Sequence, residues 1–216
     1  MCSAIIGIIS YLPDDKQVRK NRLNKLLELL DSCNTIFNLP IYILIQNYHD
    51  DEIETLECTK NVSVSPNFNK LGILNARKLL RRTFLTMGKE YLIMLDDDCD
   101  LKGTRQDGEE YIKQLEEHPG CFGEFKLTLL KLFSISRDLL EKEDFPNINP
   151  ENEEGFEDRV FVNKLRIKYP NKRFTYSTKI IEYSVSTKDS DSTWYINQDL
   201  SKMLQNTQEE IAKFND

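Results

Sequence analysis

The sequence predicts an α/β fold in which a mostly parallel central sheet is flanked by helices. Short apolar segments of strand length alternate with longer segments whose apolar residues recur at helical spacing. The strand segments are apolar at nearly every position, as expected of strands that are covered on both faces. Strands that alternate with helices are joined by right-handed crossovers and therefore lie parallel to one another.

The clearest elements lie in the first half of the chain. Residues 4–10 form a short run rich in isoleucine, which is typical of a buried strand. The longer segments between such runs carry one apolar face and polar residues elsewhere, as amphipathic helices do. The predicted strands are residues 4–10, 41–45, 62–64 and 91–95, and the predicted helices are residues 14–32, 50–57 and 71–87.

The second half of the chain is less regular. Residues 125–135 have a strand-like composition, and residues 173–186 hold one or two further strands. Pro146 and Pro150 interrupt a polar stretch over residues 143–154, which predicts a mobile loop. Helices are predicted at residues 108–117, 137–142, 157–169 and 198–214, the last of which packs its apolar face on the rest of the domain.

The charge of the chain argues against nucleic acid as a partner. The 216 residues include 36 acidic and 29 basic side chains, which gives a net charge of −7. Binding to a nucleic-acid backbone needs a basic face. A nucleotide ligand remains possible, since one metal ion and one or two basic residues can balance its few charges.

The sequence predicts a cytoplasmic protein without a transmembrane segment. No apolar stretch approaches the roughly 20 residues that cross a bilayer. The apolar start lacks the basic region of a signal peptide and leads directly into a charged helix. The five cysteines are scattered and show no CxxC spacing, which favours free thiols in a reducing compartment.

The strongest chemical signal is an acidic cluster after the fourth predicted strand, with the sequence LDDDCD at residues 95–100. The like charges of Asp96, Asp97, Asp98 and Asp100 repel one another unless something compensates them. Mg²⁺ or Mn²⁺ would do so, since these cations prefer one or two carboxylates together with diphosphate oxygens. The alternative is a solvated acidic turn, but a buried strand that delivers carboxylates to a sheet edge favours metal binding.

Other polar residues follow the neighbouring strands. Ser10 and Tyr11 end the first strand, and Gln46 and Asn47 follow the second. The carboxyl ends of parallel strands meet at one edge of a sheet, where ligands of α/β folds bind. We therefore expect these side chains to gather near Asp96.

Three segments together resemble the GT-A glycosyltransferases, particularly the large family 2 group. The triplet 96–98 resembles the family's DxD motif, which follows a buried strand. Residues 67–77 (NFNKLGILNAR) are similar to the segment that precedes that strand. Residues 155–158 (GFED) resemble the xED segment that follows the DxD motif at a comparable distance.

This resemblance implies a GT-A fold and a metal-dependent sugar transfer. The donor would be a nucleoside-diphosphate sugar, most often a UDP-sugar, and the acceptor a hydroxyl of a glycan, glycolipid or protein-linked glycan, with inversion at the anomeric carbon. Residues 1–101 would bind the donor and residues 102–197 the acceptor, within a single domain that ends in a helix at residues 198–216.

On the metal side, the resemblance implies that Asp98 ligates Mn²⁺ or Mg²⁺ directly and that Asp96 faces the ribose and the water shell of the metal. Asp97 would also lie at the donor. The frame 98–100, also a DxD triplet, is an alternative register. Many relatives complete the metal site with a late histidine or aspartate, and neither His49 nor His118 lies in that region.

The remaining roles follow in the same way. Asp158 would be the general base that deprotonates the acceptor, with Glu157 close to the sugar. Ser10 and Tyr11 would contact the base of the nucleotide. Further donor contacts would come from Asn47, Lys70 and Arg77, while Arg137 and Asp138 are weaker candidates on the acceptor side.

Three other functions fit the pattern less well. A sugar nucleotidyltransferase should have a glycine-rich loop with arginine after the first strand, where this chain has SYLP at residues 10–13. A DxDxT phosphatase needs a threonine or valine two residues after its second aspartate and normally places that strand first. A non-catalytic module with the same fold is the third alternative, against which the two intact acidic motifs argue.

Overall fold

The computed structural model describes residues 3–67, 71–124, 132–146 and 157–177, together with Ile180 and Ala212. It contains a seven-stranded sheet in the order β3-β2-β1-β4-β6-β5-β7. The strands are β1 (Ala4–Tyr11), β2 (Ile41–Gln46), β3 (Val62–Asn67), β4 (Tyr91–Asp96), β5 (Phe122–Glu124), β6 (Leu132–Ser136) and β7 (Arg173–Thr175).

Six α-helices flank this sheet in the described part of the chain. They are α1 (Lys16–Ile36), α2 (Asp50–Glu57), α3 (Ile73–Thr86), α4 (Arg105–Glu117), α5 (Arg137–Lys142) and α6 (Glu157–Lys168), and a short 3-10 helix (Pro170–Lys172) follows α6.

Strands β3, β2, β1 and β4 are parallel, as the alternation of strands and helices predicts. Ile8 pairs with Ile43 of β2 on one side and with Leu95 of β4 on the other. Strand β6 then runs antiparallel to β4, so the sheet continues without a break from the first half of the chain into the second. The sheet is thus mixed, with a parallel part that carries the predicted site.

The core lies on both faces of the sheet, because successive side chains of a strand point to opposite faces. Ile6 and Ile8 of β1 pack with the buried residues of α1 and α4, while Ile5 belongs to the cluster that includes α3 and α6. Both faces of the central strands are therefore covered, which explains why these strands are apolar at nearly every position.

The contact between α1 and α4 ties the two halves of the chain together. A Cβ atom placed on Gly108 of α4 would lie 1.9 Å from the backbone oxygen of Ile36, at the end of α1. The two helices approach this closely only because residue 108 has no side chain. A helix from the second half thus packs directly on the longest helix of the first.

Most predicted elements are confirmed within a few residues. Helix α1 extends to Ile36, and α4 begins earlier than predicted because the Thr104 hydroxyl and the Asp107 carboxylate form a capping box at its start. Strand β5 was not predicted, since three residues are too few to give a period. The first part of the predicted strand at residues 125–135, up to residue 131, and nearly all of the helix at residues 198–214 lie outside the described residues.

Two other expectations concern cysteines and membranes. The described cysteines, Cys33, Cys58, Cys99 and Cys121, are all free thiols, as predicted. Within the described residues, every helix is too short or too polar to cross a membrane.

Candidate functional site

The predicted site residues of the first half gather at the carboxyl edge of the parallel strands. In the sheet register, Tyr11 of β1 pairs with Gln46 of β2, and Ile9 of β1 pairs with Asp96 of β4. The loops that follow these three strands therefore start from the same edge. This confirms the expected juxtaposition of the β1, β2 and β4 ends.

Ser10 links the end of β1 to the acidic turn. Its buried hydroxyl donates a 2.6 Å hydrogen bond to the Asp97 carboxylate and lies 2.8 Å from the Tyr48 hydroxyl. Because the single hydroxyl proton of Ser10 is directed at Asp97, Tyr48 is the donor in the second bond. The chain Tyr48–Ser10–Asp97 thus fixes the orientation of Asp97.

The electrostatics of Asp97 reflect the same contacts. Burial and the neighbouring Asp98 raise the pKa of Asp97, whereas the hydrogen bond from Ser10 and the positive charge of Arg22 oppose the increase. The net pKa lies above the ordinary value of an aspartate. The turn therefore holds carboxylates in a place where their negative charge is poorly compensated by the protein alone.

Asp96 is the last residue of β4 and faces a cation from α3. Its Oδ1 lies 3.5 Å from an Arg77 guanidinium nitrogen, and its side chain is 35% exposed. Burial, together with repulsion from Asp158, Asp98 and Asp97, raises the pKa of Asp96 to about 7, although Arg77 opposes the increase. Asp96 thus belongs to a cluster of carboxylates, and burial together with their mutual repulsion outweighs the effect of Arg77 on its pKa.

Asp98 and Asp100 complete the acidic segment and are both exposed. The Asp100 carboxylate lies 3.9 Å from the ammonium group of Lys102. Among the described residues, no three His, Cys, Asp or Glu side chains converge to enclose a metal ion. Mg²⁺ and Mn²⁺ commonly take one or two protein carboxylates and keep water and substrate oxygens as their other ligands.

Asn47 follows β2 in a left-handed backbone conformation with a φ of +60°. Its side-chain amide donates to the Leu12 carbonyl at 2.7 Å and to the Asp14 carboxylate at 2.9 Å. Asn47 therefore ties the loop after β2 to the loop after β1. A pocket of about 90 Å³ opens beside it, lined by Ile45, Asn47, Tyr48, Ile53, Pro66 and Asn67.

A buried ion pair that the sequence analysis missed supports these loops. Arg19 of α1 makes two hydrogen bonds to the Glu52 carboxylate of α2, at 2.6 and 2.5 Å, and donates to the Asn47 carbonyl at 2.7 Å. The side chains of Arg19 and Glu52 are only 8% and 11% exposed. Each is unremarkable in its own helix, so no local signal distinguishes this pair from surface charges.

The segment before α3 is held by Gln46 and shaped by Gly72. The Gln46 side-chain oxygen accepts a 2.8 Å hydrogen bond from the Leu71 backbone N–H. Gly72 caps the helix with a φ of 71° and a ψ of 158°, a combination that other residues rarely adopt. Lys70, the predicted donor contact, lies outside the described residues.

The second acidic motif begins α6. Helix α6 starts at Glu157, and the Asp158 carboxylate lies close enough to Asp96 to contribute to the increase of its pKa. Asp158 follows Asp96 by 62 residues in the sequence. The fold therefore brings the proposed base and the proposed donor-site carboxylates together, although they come from different halves of the chain.

Arg137, a weaker acceptor-side candidate, lies away from the acidic turn. Its guanidinium group donates to the carbonyls of Lys89, Leu85 and Phe84. These carbonyls lie at and just after the end of α3, and β4 begins at Tyr91, so Arg137 lies at the edge of the sheet opposite Asp96. It caps a helix end, a role that cations at helix C-termini commonly take, and Asp138 beside it pairs with Lys142 at 2.6 Å.

Comparisons by sequence find no relatives. No family model matches the chain, and no curated protein matches it.

Comparisons by structure find several similar proteins. TarS from S. aureus has a TM-score of 0.62 at 16% identity over 84% of this chain. The mannosyltransferase PcManGT from Pyrobaculum calidifontis, solved with GDP-Man and Mn²⁺, has a TM-score of 0.63 at 13% identity over 98% of this chain. A cytidylyltransferase from Leptospira borgpetersenii has a TM-score of 0.55 at 16% identity over 84% of this chain.

The chain spans less than two thirds of the length of TarS and of the mannosyltransferase. It covers 36% of the TarS chain and 64% of the mannosyltransferase chain, but 79% of the cytidylyltransferase chain. The structural similarity covers 84% to 98% of this chain, although the sequence identity is only 13% to 16%. Together with the mixed seven-stranded sheet and the acidic turn after β4, it shows that this chain has the GT-A fold of the nucleotide-diphospho-sugar transferases.

Proposed function

We propose that this chain is a metal-dependent glycosyltransferase that transfers a sugar from a nucleoside-diphosphate sugar, with a UDP-sugar favoured, to an acceptor hydroxyl with inversion. The observation that carries the proposal is that Asp158, the second residue of α6, lies near enough to Asp96 at the end of β4 to raise the pKa of the Asp96 carboxyl. The fold thus brings an acidic residue from the second half of the chain into the neighbourhood of the acidic turn of the first half. Such a placement suits a base on one side of a sugar and a diphosphate site on the other.

The acidic turn fits a hard divalent cation. Asp98 is exposed, Asp96 is partly exposed, and burial together with the repulsion among Asp96, Asp97 and Asp98 raises the pKa of Asp96. Asp98, with Asp96 through a water molecule, would hold Mn²⁺ or Mg²⁺. The bound ion would supply positive charge that stabilises the diphosphate as it leaves.

The donor would lie along the carboxyl edge of the sheet. Arg77, and Lys70 on the segment before α3, would balance the remaining charge of the diphosphate. Asp97 would lie against the donor, and Ser10 and Tyr11 would border the nucleoside. The pocket beside Asn47 would receive the base, because it lies at the ends of β2 and β3 and is lined by two side-chain amides.

In the reaction, Asp158 would accept the proton of the acceptor hydroxyl. The hydroxyl oxygen forms a bond to the anomeric carbon, and the bond from that carbon to the diphosphate oxygen breaks with its electron pair on the diphosphate. Attack from the face opposite the leaving group inverts the anomeric carbon. Glu157 would lie close to the sugar, at the N-terminal end of α6, where a helix dipole favours negative charge.

The proposal is tested by calorimetry with UDP-GlcNAc, GDP-mannose and dTDP-glucose, each with and without Mn²⁺. We expect one donor to bind in a Mn²⁺-dependent manner and Asp98→Ala to abolish that binding. Asp100→Ala is the matched control, because it removes a nearby exposed carboxylate that pairs with Lys102. Loss of binding in Asp100→Ala but not in Asp98→Ala would instead select the other DxD register.

The base is tested by the rate at which the bound donor releases its nucleoside diphosphate in hydrolysis, in which water takes the place of the acceptor hydroxyl and receives the sugar. We expect Asp158→Asn to lower the rate by about 10²- to 10⁴-fold, the usual contribution of a general base, while donor affinity is kept. A full rate in Asp158→Asn would remove Asp158 from the mechanism. Absence of donor binding in the folded wild-type protein would favour a non-catalytic module.

A second candidate is nucleotidyl transfer, because a cytidylyltransferase shares the fold. The loop after β1 argues against it. The Asp15 carboxylate accepts hydrogen bonds from the backbone N–H groups of Gln17 and Val18 at the start of α1. These are the groups that a triphosphate would use at a helix N-terminus. Incubation with CTP and a sugar acid or sugar phosphate distinguishes the two reactions, since nucleotidyl transfer releases pyrophosphate.

A further inference from the structure

Helix α6 carries the proposed base at its start, so the position of this helix determines where Asp158 lies. One face of the helix is buried in the core through Val160, Phe161 and Leu165. Phe161 also stacks on Phe145, with 4.2 Å between the ring centroids. Apolar packing of this kind is not directional and allows a helix to slide or turn slightly. Directional contacts are needed to fix its register.

Such contacts converge on Glu143, the residue after α5. Its carboxylate lies 2.5 Å from the ammonium group of Lys164 and 3.2 Å from that of Lys168, and it accepts a 2.9 Å hydrogen bond from the Tyr169 hydroxyl. All three partners belong to α6 or follow it directly. The Glu143 side chain is 6% exposed, so water competes little for these contacts.

Glu143 is in turn fixed to α3. The guanidinium group of Arg81 donates to the carbonyls of Glu143 and Leu140 at 2.9 and 2.8 Å. One turn earlier in the same helix, Arg77 faces Asp96. Helix α3 therefore contacts the proposed donor-site carboxylate Asp96 through Arg77, and it contacts Glu143, which holds α6, through Arg81.

The Glu143 carboxylate is charged at neutral pH. Burial by itself would raise its pKa, but the hydrogen bonds from Lys164, Tyr169 and Lys168 outweigh that effect and lower it. The groups around it are Lys164 and Lys168 of α6, Tyr169 directly after that helix and Arg81 of α3, with Asp144 beside it in the chain. A charged group held by three donors resists displacement more than a neutral one, because charge-assisted hydrogen bonds are roughly twice as strong.

We propose that Glu143 is a positioning residue that sets the register of α6 and thereby holds Asp158 at its working distance from the donor site. This inference rests on the proposed function, in which Asp158 is the base. Glu143 itself contacts no substrate in this scheme and acts only through the helix.

The test is a double-mutant cycle of Glu143→Gln and Asp158→Asn. The measured quantity is the rate of nucleoside diphosphate release at saturating donor, with UDP-GlcNAc and GDP-mannose as the probes, in Mn²⁺. We expect Glu143→Gln alone to lower the rate by about ten- to a hundredfold, as small displacements of a catalytic group do. In the Asp158→Asn background the same change should lower it by less than about twofold, because the group that Glu143 positions is already lost. Equal effects in both backgrounds would overturn the inference.

Two comparisons separate this role from a general loss of stability. Arg137→Gln removes partly buried hydrogen bonds to three carbonyls at the opposite edge of the sheet and should lower the melting temperature without a selective loss of rate. Tyr169→Phe removes a single hydrogen bond to Glu143 and should give a smaller rate loss of the same kind, in a protein that folds. A Tyr169→Phe rate equal to the wild-type rate, with Glu143→Gln unfolded, would also count against the inference.

Hydrogen exchange tests the anchoring independently of activity. We expect Glu143→Gln to raise backbone exchange in α6 while β1 and β4 keep the exchange of the wild type. Unchanged exchange in α6 would overturn the inference even if the wild-type protein turns over its donor. If Glu143→Gln exchanged faster in α6 but the wild-type protein turned over no donor, the proposed function would be overturned. Glu143 would then hold the helix without positioning a catalytic base.

Discussion

The hydroxyl of Ser10 donates a 2.6 Å hydrogen bond to the carboxylate of Asp97, which joins the end of β1 to the acidic turn after β4. Tyr48, which follows β2, donates to the same hydroxyl. Three loops that start from neighbouring strands thus share one hydrogen-bond chain. The arrangement makes the orientation of the acidic turn depend on residues far from it in the sequence.

This relationship predicts that Ser10→Ala weakens donor binding. Without the hydroxyl, Asp97 loses a hydrogen bond in a partly buried setting and the acidic turn is less well fixed. We expect donor affinity in Mn²⁺ to fall by about three- to tenfold, the usual worth of one hydrogen bond, as measured by calorimetry. Ser32→Ala is the control, because the Ser32 hydroxyl bonds only to the Glu28 carbonyl on the exposed side of α1. Equal affinities in Ser10→Ala and wild type would show that this chain does not position the donor site.

The Arg19–Glu52 pair predicts a specific dependence of stability on pH. Burial by itself would raise the pKa of Glu52, but hydrogen bonds from Arg19 and from the His49 backbone N–H, with the charge of Arg19, hold it below its ordinary value of 4.5. Because the pKa of Glu52 is lower in the folded state, the ion pair contributes its full stabilisation of the fold at any pH above the unfolded-state pKa. It is lost as the pH falls through the folded-state pKa.

Urea unfolding of wild type and Glu52→Gln from pH 7 to pH 3 checks this expectation. At neutral pH we expect Glu52→Gln to be less stable by about 3 kcal/mol, because it leaves Arg19 buried without its counter-charge. The difference should stay constant down to about pH 5 and shrink below it as Glu52 takes up a proton. Glu54→Gln, an exposed change in the same helix, should show little difference at any pH. If the difference in the free energy of unfolding between wild type and Glu52→Gln did not change with pH, the ionised carboxylate of Glu52 could not be its cause.

Replacement of Gly72 should destabilise the fold through backbone conformation alone. A Cβ atom at this position would meet nothing within 4 Å, but the φ of +71° is strained for any other residue. We expect Gly72→Ala to lower the free energy of unfolding by about 1–3 kcal/mol. Gly103→Ala serves as the control, because no positive φ constrains Gly103 and the nearest atom to its added Cβ would lie at 3.5 Å. Equal stabilities of the two variants would mean that the cap conformation is not needed.

Replacement of Gly108 by alanine should have two opposing effects on stability, a gain in helix propensity and a larger steric cost. Alanine is favoured over glycine inside a helix by about 1 kcal/mol. The added methyl group at this position would nevertheless collide with the Ile36 backbone oxygen at 1.9 Å, and backbone cannot rotate away as a side chain can. We expect Gly108→Ala to destabilise the protein by about 2–3 kcal/mol in urea unfolding. Gln106→Ala, at an exposed position of the same helix, should be neutral or slightly stabilising.

The sequence pattern is sufficient to predict the parallel part of the fold. Buried parallel strands are apolar throughout, and in the helices between them apolar residues recur at helical spacing. The pattern also places Ser10, Asn47 and Asp96 at one edge, which follows from topology alone. The ion pairs of Arg19 and of Glu143 could not be predicted from the sequence. Their partners lie 33 residues away for Arg19 and at least 21 residues away for Glu143, and only the folded chain shows that they are buried. The position of Arg137 at the opposite edge also follows only from the folded chain, because β6 runs antiparallel to β4 and so α5 begins at the other end of the sheet.

The unbroken sheet and the contact of Gly108 with Ile36 constrain how the molecule can move. Rotation of one half against the other would break the backbone hydrogen bonds between β4 and β6 and separate two helices that touch through their main chains. Hinge closure, which many two-domain enzymes use to shut water out, is therefore costly for this architecture. Substrate-linked motion has to come from loops and side chains at the rim of the sheet, and variants that alter it should be sought there.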